Sequence, residues 1–250
     1  MEYHYCSRCG KHIKPDIVFK QEITLTLYCP ECNSNIYSLK SELVLKSVNT
    51  RFKGVYIAFE GIDGSGKTCQ SLRLIRRLRE IGYNVVYVRE PWNESLKKFL
   101  YKYSLEPDVE TYVFAVDRII LQKEIVIKAL SEGSIVVSDR SVYASLAYQG
   151  ARGLPLEYIL FVNRVVKLPD IVVLLDLPVD IALKRISGRV KTRFEEKEYL
   201  MKVRELYLKL PEIFKNTLFI VVDASKSISE VEMDIWRKLA PILKEIKSGV

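Results

Sequence analysis

The chain of 250 residues has no run of about twenty apolar residues, so no stretch has the length and apolarity of a membrane-crossing helix. Its opening residues, Met1-Glu2-Tyr3-His4-Tyr5-Cys6, lack the basic and apolar blocks of a secretion signal. Together these absences predict a soluble, cytoplasmic protein with no membrane partner. There is no internal repeat or low-complexity stretch, and with 48% hydrophobic residues neither a disordered nor a fibrous reading fits. Acidic residues are outnumbered, 31 against 39 basic, and the resulting net charge of +8 suits anionic partners such as nucleotides, nucleic acid or acidic membrane surfaces without choosing among them.

Cysteine is scarce, yet four of the five cysteines lie in the first 32 residues, as Cys6-Ser7-Arg8-Cys9 and Cys29-Pro30-Glu31-Cys32. Two such knuckles about twenty residues apart can close four thiolates into a tetrahedron around Zn²⁺. Disulfides are disfavoured in a chain read as intracellular, and free thiols leave the doubled spacing unexplained. His4 and His12 flank the first knuckle but are not needed for a four-cysteine site. The segments Ile17–Phe19 and Glu22–Tyr28 read as short strands, as in a zinc ribbon. So small a segment buries little apolar surface, and the metal is expected to supply most of its folding energy. The expected organisation is a zinc-ribbon-like module over 1–46, a polar linker over 47–52 and a second domain over 53–250.

That second domain opens on the apolar run Val55-Tyr56-Ile57-Ala58-Phe59, followed by Gly61-Ile62-Asp63-Gly64-Ser65-Gly66-Lys67-Thr68, the pattern G-x-x-x-x-G-K-[ST]. Glycines let backbone N–H groups turn around a polyphosphate, Lys67 can reach its β and γ oxygens, and Thr68 can place its hydroxyl on Mg²⁺. The helical stretch beginning at Cys69, whose cysteine reads as a small buried residue, points its N-terminal dipole at the same anion. ATP or another nucleoside triphosphate is therefore the expected ligand. No Asn/Thr-Lys-x-Asp guanine reader and no Leu-Ser-Gly-Gly-Gln signature occur, which leaves a small-molecule kinase among the P-loop classes weighed.

Apolar runs at 55–59, 84–88, 134–138, 171–175 and 218–222 are continuous rather than alternating, as parallel strands covered on both faces require. Helical periods at 109–131, 156–166, 179–188, 196–213 and 227–246 separate them, which predicts a doubly wound α/β sheet with its ligands beyond the carboxyl ends of the strands. At the end of the third run stand Asp139, suited to a Mg²⁺ site, and Arg140, suited to a phosphate clamp. The basic segment Lys184–Arg193, interrupted by Gly188, reads as a mobile lid carrying cations for a transferring phosphoryl group. Its alternative is a solvated basic helix face. Phe114 and Arg118 share one helix face. By pattern alone the first belongs to the core and the second to the surface, and the pair stays unassigned.

In order and spacing, Phe59–Thr68, Arg89-Glu90-Pro91, Phe114-x-x-x-Arg118, Asp139-Arg140, Ser145-Leu146-Ala147-Tyr148-Gln149-Gly150, Arg193-Phe194-Glu195, Val203–Tyr207 and Asp223-Ala224-Ser225 resemble the thymidylate kinase family over 53–250. The resemblance implies a P-loop nucleoside monophosphate kinase fold, with a five-stranded parallel sheet and helices on both faces. It also implies transfer of the ATP γ-phosphate to dTMP. By that analogy Phe114 stacks on the thymine, Arg118 bonds its edge and Gln149 lies near it. Asp63 holds the 3′-hydroxyl or the acceptor phosphate, and Arg89 and Arg140 grip that phosphate. Asp223, Ala224 and Ser225 fall near adenine. Gly64 in the loop points to Arg185, Arg189 and Arg193 as lid donors, and a homodimer is implied. Trp92, Ser141 and Thr192 depart from the family pattern around the expected acceptor site. The ribbon has no role in the resemblance, and the competing readings are a kinase for another nucleoside monophosphate and a nucleic-acid-associated P-loop ATPase or regulator using that ribbon.

Overall fold

The structure is a computed structural model that describes residues 4–6, 11–13, 16–20, 24–28, 32, 35–40, 52–187 and 196–248. In the N-terminal segment β1 (His4–Cys6) pairs antiparallel with β2 (Lys11–Ile13), and β3 (Asp16–Lys20), β4 (Thr24–Tyr28) and β5 (Asn35–Lys40) form a second antiparallel sheet. Of the two strands expected there, Ile17–Phe19 falls within β3 and Glu22–Tyr28 overlaps β4.

The larger unit strings β6 (Val55–Glu60), α1 (Lys67–Glu80), β7 (Val85–Arg89), α2 (Glu94–Lys102) and α3 (Pro107–Leu121). A π-turn over Gln122–Val126, α4 (Ile127–Ser131), β8 (Ile135–Asp139), α5 (Val142–Ala151) and α6 (Leu156–Val162) follow. The chain continues through β9 (Ile171–Asp176), α7 (Val179–Ile186), α8 (Lys197–Ile213), β10 (Leu218–Asp223) and α9 (Ile228–Ser248). The five strands form one parallel sheet in the order β10-β9-β6-β8-β7. All six residues of β6 are buried, because the strand is central and covered on both faces. At the edge, β10 alternates, burying Ile220 and Val222 while exposing Leu218 and Val221. From the neighbours β6 and β8 the chain leaves toward opposite edges, and that divergence opens a crevice beyond their carboxyl ends.

α1 turns Leu74, Ile75 and Leu78 into the core, each worth ~1.5–3 kcal/mol of apolar burial. Residue 69 falls on the opposite face with Leu72 and Arg76, so Cys69 is exposed rather than buried as its size suggested. The helix expected over 109–131 is interrupted by the π-turn. There the amide of Gln122 donates to Lys167 O (2.8 Å) and accepts from Lys167 N (2.7 Å). α5 gave no periodic signal because it is buried on nearly every side. Among the described residues, no helix is long and apolar enough to cross a membrane.

Replacing Leu78, fully buried on α1, by Ala is expected to cost ~2–5 kcal/mol in urea unfolding. Leu72→Ala on the exposed face of the same helix should stay within ~0.5 kcal/mol. Similar losses from the two would contradict the placement of this face.

Candidate active site

The loop between β6 and α1 is held by contacts that a side chain would break. Gly64 has φ +85°, and a Cβ there would lie 2.6 Å from the carbonyl oxygen of Ala182 on α7. Lys67 is buried and folds back on the loop, its Nζ donating to Gly61 O (2.8 Å) and Ile62 O (2.9 Å). Burial, helped by the nearby Arg140 cation, pulls the Lys67 ammonium down to about 8. Ser65 Oγ is buried with no hydrogen-bond partner, in a loop whose purpose by sequence is to cradle oxygens.

β8 delivers Asp139 to the same place. Thr68 Oγ1 donates to Asp139 Oδ2, and Arg89 Nε lies 3.6 Å from that oxygen. The hydroxyl and the carboxylate are hard oxygen donors already in contact, a set that fits Mg²⁺. The next residue, Arg140, adopts φ 78°, a left-handed conformation uncommon outside glycine. Its guanidinium pairs with Asp63 and lies 5.0 Å from the centre of the Tyr148 ring. The backbone N–H of Asp63 donates to Tyr148 Oη (3.1 Å).

A cavity beside the loop is lined by all six residues expected to bind an acceptor: Asp63, Arg89, Phe114, Arg118, Arg140 and Gln149. Phe114 is half-buried and belongs to neither hydrophobic cluster, so the core alternative fails. Arg118 is only 1% exposed, so the surface alternative fails too. Its Nε donates to both oxygens of Glu90 (3.1 and 2.9 Å), Nη1 to Asn163, and Nη2 to Ser141 O (3.2 Å) and Ser145 Oγ (3.1 Å). Arg118 therefore braces the cavity wall as well as lining it. Lys97 and Tyr101, four apart on α2, and Tyr148 on α5 also line the cavity and were not singled out by sequence.

A family model described as thymidylate kinase matches residues 59–235. A probable thymidylate kinase of Thermococcus gammatolerans is 38% identical over 212 residues, covering 79% of this chain and all of the relative. Another, of Pyrococcus horikoshii, is 42% identical over 195 residues, 73% of this chain and 94% of the relative. A third, of Methanothermobacter thermautotrophicus, is 39% identical over 208 residues, 78% of this chain and all of the relative. The chain belongs to the thymidylate kinase family.

The family match takes in the whole P-loop, Asp139-Arg140 and Asp223-Ala224-Ser225, and leaves the first 58 residues outside it. Asp223 shapes a turn, its Oδ1 accepting from Ser225 N (2.9 Å) and Ser225 Oγ (2.6 Å), while Ala224 N donates to Asp176 O (2.8 Å). Arg185 is exposed in the last turn of α7; Arg189, Thr192 and Arg193 lie outside the described residues. So do Cys9 and Cys29, and of Cys6 only the backbone is described, whereas Cys32 is half-exposed. Among the described residues no group of three or more His, Cys, Asp or Glu is placed to hold a metal ion.

Two departures from the family pattern lie behind the cavity rather than in it. Trp92 packs on the small cluster of Val88 and Leu121, and its N–H and that of Asn93 donate to the buried carboxylate of Asp117 (2.8 and 2.7 Å). Ser141 Oγ donates to Glu60 Oε1 (2.6 Å), and Tyr207 Oη donates to Glu60 Oε2 (2.8 Å). Sequence reading missed Glu60; its only signal is a carboxylate ending an otherwise apolar strand. Burial pushes it from an ordinary 4.5 up to about 7, against the pull of the Ser141 and Tyr207 hydroxyls.

With its folded pKa above its unfolded one, Glu60 binds more protons folded than unfolded between about pH 4.5 and 7. Its contribution is present below 4.5 and lost as pH rises through 7. The unfolding free energy of Glu60→Gln minus that of the wild type should therefore rise from pH 5 to pH 8 in denaturant titrations. A flat or falling difference would show that Glu60 is not desolvated as described.

Proposed function

We propose that the protein transfers the γ-phosphoryl group of ATP to the 5′-phosphate of dTMP, giving dTDP and ADP. The observation that carries this reading is the convergence of the six acceptor-type residues on one cavity beside the Lys67 loop, in a chain of the thymidylate kinase family. Phe114 offers a ring face for the base, and Gln149 and Arg118 offer polar atoms for its edge. Arg89 and Arg140 supply charge for the acceptor phosphate, with Asp63 holding Arg140 in place. Binding of ATP gives the Lys67 ammonium phosphate oxygens in place of the two loop carbonyls it now faces. An oxygen of the acceptor phosphate donates its electron pair to the γ-phosphorus as the bond to the ADP oxygen breaks. That oxygen is already deprotonated, so the residues have only to align it and spread charge. Thr68 and Asp139 would hold Mg²⁺, which neutralises charge on the β- and γ-phosphates when bound. Arg185, Arg189 and Arg193 are the proposed lid cations, Asp223-Ala224-Ser225 the proposed surroundings of adenine, and a homodimer the proposed assembly.

We assign a structural Zn²⁺ to Cys6, Cys9, Cys29 and Cys32. Their spacing supports it. Purified without chelator, the chain should carry about one zinc per molecule by elemental analysis; none would defeat the assignment.

A panel of monophosphates with ATP tests the activity. dTMP should be phosphorylated fastest, and strong turnover of dUMP, CMP or AMP without dTMP would sink the proposal. Because Lys67 titrates at about 8 in the free protein, kcat/KM for ATP should fall as pH rises through that value. Lys67→Ala should abolish turnover, and a rise in kcat/KM above pH 8 in the wild type would contradict the role given to Lys67.

A further inference from the structure

α3, the π-turn and α4 run as one helical stretch from Pro107 to Ser131. Along it burial recurs every four positions: Arg118, Gln122, Val126 and Leu130 are each 4% exposed or less. A regular α-helix turns about 100° per residue, so three steps of four would carry Leu130 about 120° round from Arg118. The π-turn takes up the difference. The N–H of Ile127 donates to Gln122 O, five residues back, and that one wider turn absorbs about 100° of the drift. Arg118 can therefore line the acceptor cavity while Val126 and Leu130 pack with Tyr56 and Val136 of the sheet.

Turns of this kind are rare, so one that persists has a cause in its surroundings. Here the cause is the connection between α6 and β9. Asn163 at its start, fixed by Nδ2 donation to Ile159 O (2.8 Å), accepts from Arg118 Nη1. Four residues on, Lys167 closes two hydrogen bonds with the Gln122 amide, which donates to Lys167 O (2.8 Å) and accepts from Lys167 N (2.7 Å). Asp170 then ties the connection to the central strand: its N–H donates to Tyr56 O and its Oδ2 accepts from Tyr56 N, both at 2.8 Å. One connection thus grips two successive turns of the helical stretch, at Arg118 and at Gln122, and refers both to β6.

We propose that Gln122 is a positioning residue for the acceptor cavity: by pairing with both backbone groups of Lys167 it holds the π-turn open, and so fixes the rotation of α3 that brings Phe114 and Arg118 to the cavity wall. Resting on the kinase reading, this adds a control on acceptor binding by a side chain that does not itself line the cavity. Without the two bonds the stretch relaxes toward regular α-helix, turning α3 and α4 against each other. The ATP side is spared, since Lys67 and Thr68 stand at the start of α1 and not on α3.

In the full chain, Gln122→Ala should raise KM for dTMP roughly tenfold or more, with KM for ATP and kcat at saturating dTMP within about threefold of wild type. Gln122→Glu carries its own control. Protonated, its carboxyl donates and accepts as the amide does; ionised, it has no proton for Lys167 O. Measured by calorimetry against wild type at the same pH, its Kd for dTMP should match at about pH 5.5 and be at least about fivefold weaker at about pH 8, while that for ATP stays level. If Gln122→Ala does not fold, Gln122→Glu decides, and its unfolding before dTMP affinity falls would overturn the proposal. A residue that merely supports the fold would weaken both substrates alike. Equal losses for dTMP and ATP, or an unmoved KM for dTMP in folded Gln122→Ala, would therefore overturn it too. If the wild type phosphorylates another monophosphate and not dTMP, the dTMP reading falls, and the same split measured with that monophosphate decides this inference. Wild-type protein that phosphorylates none removes both, whereas a dTMP kinase without the split removes this inference alone.

Discussion

The site is organised around one buried carboxylate. Glu60 ends the central strand β6 with no exposed surface and is held by two hydroxyls, Ser141 just after β8 and Tyr207 on α8. Burying a carboxylate in the sheet is unfavourable unless donors replace its water, and these two donors come from different parts of the chain. Their positions therefore become mutually dependent. The P-loop begins at the next residue, Gly61, and Arg140 immediately precedes Ser141, so the tether sets the loop and the arginine against each other. Arg140 is left in a left-handed backbone conformation that costs a non-glycine residue ~1–2 kcal/mol. Its N–H donates to Phe59 O (3.0 Å), one residue before Glu60, which fixes that conformation from the same strand. The result is a guanidinium aimed at Asp63 across the mouth of the loop.

A second buried charge does for the acceptor cavity what Glu60 does for the loop. Arg118 joins α3 to Glu90 after β7, to Ser141 and Ser145 at the start of α5, and to Asn163 after α6. Such a buried pair is weak evidence for stability, because desolvation offsets much of its attraction. Loss of one partner, however, strands the other at ~3–5 kcal/mol. Its consequence is geometric: the walls that carry Phe114, Gln149 and Arg140 cannot drift independently. Asp117, the neighbour of Arg118, extends the brace by capping the backbone at Trp92 and Asn93. Glu110, about two turns earlier on α3, reaches Gln149 and Arg152. A single helix thus orders three sides of the cavity through polar groups it buries.

Much of this was legible before any coordinates. Five continuous apolar runs mark the strands within a residue or so, although the edge strand β10 proves covered on one face only. The P-loop was legible because its glycines and lysine act through their own backbone and side chain. What stayed hidden depended on partners remote in sequence. The burial of Arg118 follows from Glu90 and Asn163, which lie 28 and 45 residues away, and no local pattern encodes that. α5 escaped because a helix buried all round has no amphipathic period. Cys69 is the instructive error: reading it by size alone ignored the face it shares with Leu72 and Arg76, which the helical period already showed to be outward.

The glycine at 64 shows how packing and chemistry can be one constraint. α7 approaches so closely that a Cβ at 64 would meet the Ala182 carbonyl at 2.6 Å, and φ +85° disfavours a side chain independently. No side chain fits at position 64 while α7 holds that position. Arg185 occupies the last turn of that same α7, at the root of the basic segment running to Arg193. The contact that keeps position 64 bare also fixes the helix from which the proposed lid cations extend. Lys67, fixed on the loop, is present whether or not substrates are bound. On the kinase reading, a cation carried beyond α7 can be brought up as water is expelled, where its attraction for the γ-phosphate is least screened. The exclusion at Gly64 and the placement of Arg185 therefore follow from the same packing of α7 on the loop.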